Sequence, residues 1–349
     1  MSVETLSAER ADRCAAPFPG SDRLLVAGLG SIGKRHLDNL RALGESRVEL
    51  YRTGRGTLVE GDPEGLPVHR DVESALAGKP RAVIVSNPTA LHMPLALAAA
   101  RAGAHLLIEK PLSDSLQGVE ELRREVVARE LKVLVGFQFR FHPSLRRIKE
   151  WLEERAVGSV VSVHARWGEC LRGWHPWEDY RGSGSARRDL GGGVVLTLCH
   201  PFDYVRWLVG EVATVSAETA QLGGLGIEVE DTAQVVLRFE SGAVGSVELD
   251  YVERPPVHTL RILGQRGRIL WDNATGLARL QDRDGRVVSS FAPPPGFERN
   301  SLFLDEMRHF LGCLAGGSEP ECTLDDGIRA LKVALAAIEA AATGRRVRA

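Results

Sequence analysis

A short apolar run that leads directly into three closely spaced glycines constrains this chain more than any other feature. Residues 24–27 read Leu-Leu-Val-Ala, and Gly28, Gly30 and Gly33 follow before a segment with helical spacing. A strand, a glycine turn and a helix in this order open a doubly wound α/β sheet, because glycine allows both the tight turn and the close packing of the helix on the strand. The first part of the chain is therefore predicted to fold around a parallel sheet.

The next 120 residues repeat this alternation of short apolar runs and segments with helical spacing. The predicted strands are Leu24–Ala27, Val48–Tyr51, Ala82–Val85, His105–Ile108 and Val133–Val135. Strands that alternate with helices form a parallel sheet covered on both faces. Residues 21–150 are therefore predicted to form a Rossmann domain. Residues 1–20 contain charged residues and no apolar core of a signal peptide, so we expect a flexible tail there.

The pattern changes after about residue 155, where strands follow one another without long helices between them. The predicted strands are Val160–Ala165, Val212–Ala220, Thr232–Phe239, Val244–Tyr251, His258–Leu263 and Arg268–Trp271. One helix interrupts them around residues 193–208, and residues 239–243 are a hairpin turn candidate. Residues 151–322 are therefore predicted to form an open, mostly antiparallel sheet domain. A last helix is predicted from Thr323, which has Asp326 three residues later as in a capping box.

Composition excludes several classes of protein. A length of 349 residues suggests two domains, and a formal net charge of -2 argues against nucleic acid as a partner. No run reaches the about 18 apolar residues that a membrane helix requires, so no membrane partner is expected. The five cysteines are scattered, which argues against a metal site or a disulfide framework and favours a reducing, cytoplasmic location.

The glycine loop predicts a bound dinucleotide, NAD(P). Gly28 permits the turn, Gly30 lets the backbone approach a pyrophosphate, and Gly33 lets the helix pack closely. The helix then begins near Ser31 and Ile32, whose backbone N–H groups face the phosphates. The alternative is a glycine-rich turn without a ligand.

An acidic residue about 20 positions after the glycines would bind the ribose 2′-hydroxyl of NAD. Residues 51–55 instead read Tyr-Arg-Thr-Gly-Arg and contain no acid. Arg52, Thr53 and Arg55 suit a 2′-phosphate, so NADP is slightly favoured over NAD. The alternative is a solvated basic loop.

Several further motifs occur in a fixed order along the chain. They are Asn87-Pro88-Thr89 with His92, then Glu109-Lys110-Pro111, Gln138-Phe139-Arg140, and Gly191-Gly192-Gly193 with His200 and Asp203. Together with the glycine loop, they make the chain resemble the glucose–fructose oxidoreductase/inositol dehydrogenase family, Gfo/Idh/MocA, from residue 24 to residue 345. Glu-Lys-Pro at a strand end is the most specific of these motifs.

The resemblance implies a Rossmann domain followed by an open sheet, with the C-terminal helix of residues 323–349 packing back on the Rossmann domain. It implies a cis peptide before Pro111 and a homodimer or homotetramer formed through the open face of the sheet. It also implies a set of cofactor-binding residues beyond the glycine loop, namely Asn87, Pro88, Thr89, His92, Glu109, Lys110 and Gln138.

Two side chains are the catalytic candidates. Lys110 follows a parallel strand, where ligands bind in doubly wound folds, and its ammonium can stabilise charge on a substrate oxygen. The imidazole of His200, with an ordinary pKa of about 6.5, can accept the hydroxyl proton. The alternatives are a lysine salt-bridged to Glu109 and a structural histidine. Pro201 predicts a kink or a helix start beside His200.

The substrate is predicted to be a sugar, a cyclitol or a nucleotide sugar. Aromatic and charged side chains between residues 174 and 189 suit stacking on a sugar ring and bonding to its hydroxyls, with an ordered surface loop as the alternative. The predicted substrate-binding residues are Lys110, Arg140, Trp174, Tyr180, Arg187, Thr197, His200 and Asp203. Thr197 stands where the family pattern has an acid, which leaves the group that orients His200 undetermined.

The predicted function is hydride transfer between a nicotinamide and a secondary alcohol or ketone. Two alternatives stay open. One is a redox-neutral enzyme of the epimerase or glycosidase type that keeps its cofactor bound. The other is a non-catalytic dinucleotide-sensing regulator, which the presence of both Lys110 and His200 disfavours.

Overall fold

The computed structural model describes residues 22–54 and 61–349. Its first sheet has six parallel strands in the order β3-β2-β1-β4-β5-β6. They are Leu24–Ala27 (β1), Val48–Tyr51 (β2), Val68–His69 (β3), Ala82–Val85 (β4), His105–Glu109 (β5) and Val133–Gly136 (β6). The prediction of a doubly wound parallel sheet is confirmed. The sequence does not predict β3, because two residues are too few to show a periodicity.

Five helices accompany this sheet: Ser31–Ala42 (α1), Val72–Ala77 (α2), His92–Arg101 (α3), Val119–Ala128 (α4) and Pro143–Glu153 (α5). All four residues of β1 and of β4 are buried, as expected for central strands covered on both faces. The carboxyl ends of β1, β4 and β5 therefore lie side by side at one edge of a rigid sheet.

The second sheet has nine strands in the order β14-β13-β12-β11-β7-β10-β9-β8-β15. They are Val160–Gly168 (β7), Val212–Ala220 (β8), Thr232–Phe239 (β9), Val244–Asp250 (β10), Val257–Gly264 (β11), Gly267–Asp272 (β12), Ala278–Asp282 (β13), Val287–Phe291 (β14) and Val347–Arg348 (β15). Neighbouring strands run antiparallel except β7 and β10, which are parallel. The predicted mostly antiparallel sheet is confirmed.

The hairpin predicted at residues 239–243 joins β9 to β10. Gly242 has a φ of +88°, and the N–H of Phe239 donates to the carbonyl of Ala243 at 3.0 Å. Burial alternates along β9, so one face of the sheet is packed and the other is open. Val236 and Val244 are exposed on the open face.

Residues 193–208, predicted as one helix, form two: Val194–Thr197 (α6) and His200–Val209 (α7). Pro201 lies in the first turn of α7, which confirms the predicted helix start. The chain ends with Arg299–Leu314 (α8) and Leu324–Thr343 (α9), and α9 begins with the predicted capping box of Thr323 and Asp326.

Helix α9 contacts both sheets. It lies along β8 of the second sheet and reaches β6 of the first, where a Cβ on Gly327 would come within 2.6 Å of Val135. Within residues 22–54 and 61–349, no helix has both the length and the apolar character needed to cross a bilayer.

Candidate active site

The three glycines of the loop after β1 have three different surroundings. Gly28 has a φ of +100°, and a Cβ there would lie 2.6 Å from the backbone nitrogen of Asn87. A Cβ on Gly33 would lie 2.0 Å from the carbonyl oxygen of Gly28. At Gly30, by contrast, a Cβ would meet no described atom within 4 Å. The open space therefore lies where a pyrophosphate would approach the backbone, so the loop fits a dinucleotide.

Helix α1 begins immediately after this opening. Its N-cap, Gly30, supplies no side-chain hydrogen bond, and its first turn contains no acidic residue. The backbone N–H groups at the start of a helix carry a partial positive charge and bind anions. The loop and helix start are thus arranged for phosphate, and the cofactor contacts of Ser31 and Ile32 stay predictions.

His92 contacts the backbone of the loop after β4. His92 is buried, with Nε2 2.8 Å from the carbonyl oxygen of Asn87 and Nδ1 3.0 Å from that of Pro111. Burial lowers the pKa of His92. This histidine ties the loop after β4 to the loop after β5, because each of its ring nitrogens meets a backbone carbonyl.

Lys110 lies at the end of β5, half-buried, and the peptide before Pro111 is cis, as the resemblance implies. Its ammonium donates to the carbonyl of Thr197 at 2.8 Å. That carbonyl has no amide donor four residues later, because residue 201 is a proline. Lys110 therefore joins the two domains through this bond, and the expected alternative of a Lys110–Glu109 salt bridge does not form.

Glu109 points the other way, into the Rossmann domain. It is buried, and the Nε2–H of His36 on α1 donates to its Oε1 at 2.7 Å. Burial acts to raise the pKa of Glu109, but the His36 bond and the charges of His36 and Lys110 outweigh burial and lower it. Glu109 is therefore an ionised group behind the site. His36 carries no motif of its own, and the sequence does not reveal it.

His200 is the first residue of α7 and is buried among aromatic rings. Phe139 lies edge-on at 5.0 Å between ring centroids, and Trp167 stacks at 5.5 Å. Its Nδ1 has no hydrogen-bond partner among the described residues. Burial, followed by the charges of Lys110 and His258, lowers its pKa well below 6.5. Aromatic packing thus orients the imidazole in a chain that has Thr197 where the family pattern has an acid. The ring is neutral at neutral pH.

Arg140 and Asp203 bind each other and not an open cleft. Two hydrogen bonds, of 2.9 Å and 2.6 Å, join the guanidinium to the carboxylate, and the side chains are 3% and 1% exposed. Arg140 also donates to the carbonyl of Glu321. The prediction that these two residues contact the substrate is therefore revised, because the pair fixes α7 to the segment after β6 and leaves no surface for a ligand.

Thr197 and Trp174 meet around Tyr251, a fully buried residue that the sequence does not single out. The Thr197 side chain lies beside the Tyr251 hydroxyl, which donates to the carbonyl of Ser185 at 3.3 Å, and burial raises the pKa of that phenol well above its ordinary range. Trp174 lies edge-on to Tyr251 at 5.7 Å between centroids. Thr197 thus contacts Tyr251 through its side chain and Lys110 through its carbonyl.

The two remaining predicted substrate residues, Tyr180 and Arg187, bond to other partners. The Tyr180 hydroxyl donates to the carbonyl of Leu225 at 2.7 Å, and Arg187 forms an exposed pair with Asp189. His175 in the same segment brings its Nε2 to 3.4 Å from Oγ of Ser31. The segment between residues 171 and 190 therefore reaches across to the glycine loop.

Gln138 and the basic residues after β2 complete the predicted set. Gln138 is buried, and its Oε1 has no described hydrogen-bond partner. Arg52 lies 3.1 Å from the carboxylate of Asp62, Thr53 is exposed, and Arg55 lies outside the described residues. A cavity of about 210 Å³ lies beside the glycine loop. It is lined by Leu29, Lys34, Leu37, Asp38, Arg41, Arg52, Gly61 and Pro63.

Metal-binding geometry is not found among the described residues, since no group of three or more His, Cys, Asp or Glu side chains converges on one point there.

Comparisons with known proteins agree with this geometry. The model of an oxidoreductase family with an NAD-binding Rossmann fold, GFO/IDH/MocA, matches residues 23–137, and the model of the GFO/IDH/MocA C-terminal domain matches residues 145–270. Myo-inositol 2-dehydrogenase of Thermotoga maritima is 29% identical over 340 residues, which are 90% of this chain and 95% of that protein. The 1,5-anhydro-D-fructose reductase of Ensifer adhaerens is 28% identical, covering 88% of this chain and 92% of that protein.

Solved structures show the same fold. Levoglucosan dehydrogenase in complex with NADH superposes with a TM-score of 0.81 at 22% identity, over 93% of this chain and 98% of that chain. GenD2 from gentamicin A biosynthesis, in complex with NAD, gives a TM-score of 0.78 at 25% identity, over 97% of this chain and 99% of that chain.

Proposed function

The chain belongs to the Gfo/Idh/MocA family of oxidoreductases, and from this premise we propose that it is an NAD(P)-dependent dehydrogenase or reductase of a sugar, a cyclitol or a nucleotide sugar. The observation that carries the proposal is the placement of the Lys110 ammonium and the neutral His200 imidazole at the edge of the parallel sheet, beside a glycine loop that fits a pyrophosphate. Relatives named for inositol and anhydrofructose support a polyhydroxylated ring as substrate.

The chemistry divides between the cofactor and two side chains. A bound nicotinamide supplies the hydride acceptor or donor. In the oxidation, His200 accepts the proton of the substrate hydroxyl, while the carbon-bound hydrogen leaves as hydride and a carbonyl forms. Lys110 stabilises the negative charge that develops on the substrate oxygen. Its ammonium has three N–H donors and uses one in the hydrogen bond to the Thr197 carbonyl, so two N–H donors stay available for the substrate.

A screen of sugars, cyclitols and nucleotide sugars with NAD and NADP, followed by the absorbance of the reduced cofactor, tests the proposal. On the substrate found, Lys110→Met should lower kcat by about 10²–10³-fold, the loss typical of one donor to a developing oxyanion. Cofactor affinity should change little, because the substitution removes charge stabilisation in the transition state and leaves the phosphate loop unchanged. Lys149→Met, which removes a lysine from the surface of α5, is the control. Near-normal turnover by Lys110→Met would refute the lysine role. Conversion of a substrate without net reduction of free cofactor would instead identify the redox-neutral alternative.

For the cofactor, we propose a modest preference for NADP. The cavity beside the glycine loop is lined by Lys34, Arg41 and Arg52 against the single carboxylate of Asp38. A 2′-phosphate would have to displace the Arg52–Asp62 contact, a surface pair worth about 0–1 kcal/mol. It would gain a charge-assisted bond of about 1.5–3 kcal/mol. The difference favours NADP by about tenfold, since about 1.4 kcal/mol is one decade in affinity.

Titration of both cofactors against wild type and Arg52→Ala measures this preference. The substitution should weaken NADP binding by about tenfold and leave NAD binding unchanged. Arg47→Ala is the control, because Arg47 is an exposed arginine just before β2, the strand that Arg52 follows. Equal affinities for the two cofactors, unaltered by Arg52→Ala, would make the loop an ordinary basic surface.

For the assembly, we propose a homodimer or homotetramer formed through the open face of the second sheet, in the cytoplasm. Val236 is 57% exposed, and Val244 lies near it on the neighbouring strand β10. Exposed apolar side chains grouped on a regular face are typical of protein interfaces. A monomeric mass in solution by light scattering would overturn the proposal.

A further inference from the structure

Glu306 on α8 is the most unusual group that the proposed chemistry does not use. Its side chain is completely buried, and neither carboxyl oxygen has a hydrogen-bond partner among the described residues. A carboxylate that is removed from water without a donor or a cation is strongly disfavoured, and such a group keeps its proton instead. The position of Glu306 in the fold therefore favours the protonated form of its carboxyl group.

The surroundings of Glu306 lead directly to the active site. Helix α8 packs on α1 and on the turn at residues 138–141. One turn before Glu306, Phe303 meets the ring of His36 at 6.3 Å between centroids. His36 donates to Glu109, the residue before Lys110. Burial is the main cause that raises the pKa of Glu306 well above 4.5, and the negative charge of Glu109 adds to it.

Glu109 and Glu306 are thus two interacting carboxyl groups with unequal surroundings. Glu109 accepts from His36 at 2.7 Å and from the backbone N–H of Lys110 at 3.2 Å. The charged or titratable groups around the pair are His36 and Arg35 on α1, Lys110 on β5 and His92 on α3, and all of them act on Glu109. Glu306 has no hydrogen-bond donor and no cation paired with it in the described part of the chain. Where two buried carboxyls interact, the better-supported one takes the negative charge and the other keeps the proton.

We propose that Glu306 is a positioning residue that stays protonated at neutral pH, so that the Glu109–Glu306 pair carries one negative charge behind Lys110. The single charge stays on Glu109, where it fixes His36 with its Nε2 proton toward Glu109 and balances the Lys110 ammonium. A second charge on Glu306 would compete for that proton and disturb the balance. The proposal rests on the role proposed for Lys110. It adds Glu306 as the residue that limits the Glu109–Glu306 pair behind Lys110 to one negative charge.

Infrared spectroscopy of the whole protein tests this without any substrate. The difference spectrum between wild type and Glu306→Gln at pH 7 should show the carbonyl band of a buried, protonated carboxylic acid, present only in wild type. Asp305→Asn, which changes an exposed acid one residue earlier on α8, is the control and should leave the band in place. Absence of the band from wild type at pH 7 would overturn the proposal.

A second variant covers the case in which Glu306→Gln does not fold. In Glu109→Gln the repelling charge is gone, so the protonated-acid band should disappear at a lower pH than in wild type, by at least one pH unit. Bands that titrate at the same pH in both proteins would show that the two carboxyls are not coupled. Neither measurement depends on turnover, so a failure here is distinguishable from a failure of Lys110→Met to lower kcat.

Discussion

Replacement of Asp203 by asparagine tests whether the Arg140–Asp203 pair holds the active-site helix or binds the substrate. Asparagine keeps the shape of the side chain and removes its charge. The substitution leaves the Arg140 guanidinium, 3% exposed, without its principal counter-ion. Two partners stay with Arg140: the carbonyl of Glu321 at 2.8 Å and the carboxylate of Asp326 at 3.3 Å.

The size of the effect follows from this arrangement. Removal of one partner from a buried ion pair costs about 3–5 kcal/mol, because the other charge is left buried and uncompensated. Asp326 compensates part of the charge of Arg140, so we expect the lower end, about 3 kcal/mol. Since α7 carries both His200 and Asp203, one turn apart, loss of the pair should also lower kcat by loosening His200, while KM stays within about twofold if no substrate contact is lost.

Urea denaturation followed by circular dichroism measures the free energy of unfolding, with the dependence on urea expected to be unchanged. Asp189→Asn removes the charge from an exposed Asp–Arg pair and is the matched control, with an unchanged midpoint. A variant with wild-type stability and a tenfold higher KM would refute the reasoning, because Asp203 would then contact the substrate as the sequence first suggested.

Two further predictions concern pH. Burial lowers the pKa of His200 well below 6.5, so kcat/KM should fall only at pH values well below 6.5. His200→Asn should lose that acid limb together with about 10²–10⁴-fold in rate, and an unchanged limb would identify another base. Glu306 has a folded pKa raised above 4.5, so its contribution to stability is complete below that pH and is lost as pH rises toward the folded pKa. The slope is about 1.36 kcal/mol per pH unit. Between pH 5 and pH 7, the unfolding free energy of Glu306→Gln should therefore rise relative to that of wild type, and a pH-independent difference would contradict this.

The central strands were predictable because their burial is decided locally. β1 and β4 are covered on both faces and contain only apolar residues, so their bounds can be read from the sequence. The edge strand β14 is exposed along most of its length and has no apolar pattern to detect. The parallel pairing of β7 with β10 joins residues 82 apart, and no local pattern encodes such a pairing.

Lys110 and His200 were predictable from motifs, but their partners were not. The bond from Lys110 to the Thr197 carbonyl depends on the meeting of two domains. One local signal did exist. Because Pro201 has no backbone N–H, the Thr197 carbonyl lacks its helical donor and needs a hydrogen-bond donor from another part of the chain. The aromatic surroundings of His200 come from β7 and from the segment after β6, so they replace the missing acid in a way that only the folded chain reveals.

Glu306 shows how such a residue could be found in advance. The buried positions of α8 are Leu302, Phe303, Glu306, Met307, Phe310, Cys313 and Leu314. Their spacing of three and four is that of one apolar stripe, and Glu306 stands in the middle of it. An acid at the centre of an apolar stripe either meets a cation on the facing element or keeps its proton. The charge that acts on Glu306 here is that of Glu109 on β5, whose own donors are already His36 and the Lys110 backbone. The sequence thus marks Glu306 as buried, but only the assembled neighbours decide that it is the protonated member of a pair.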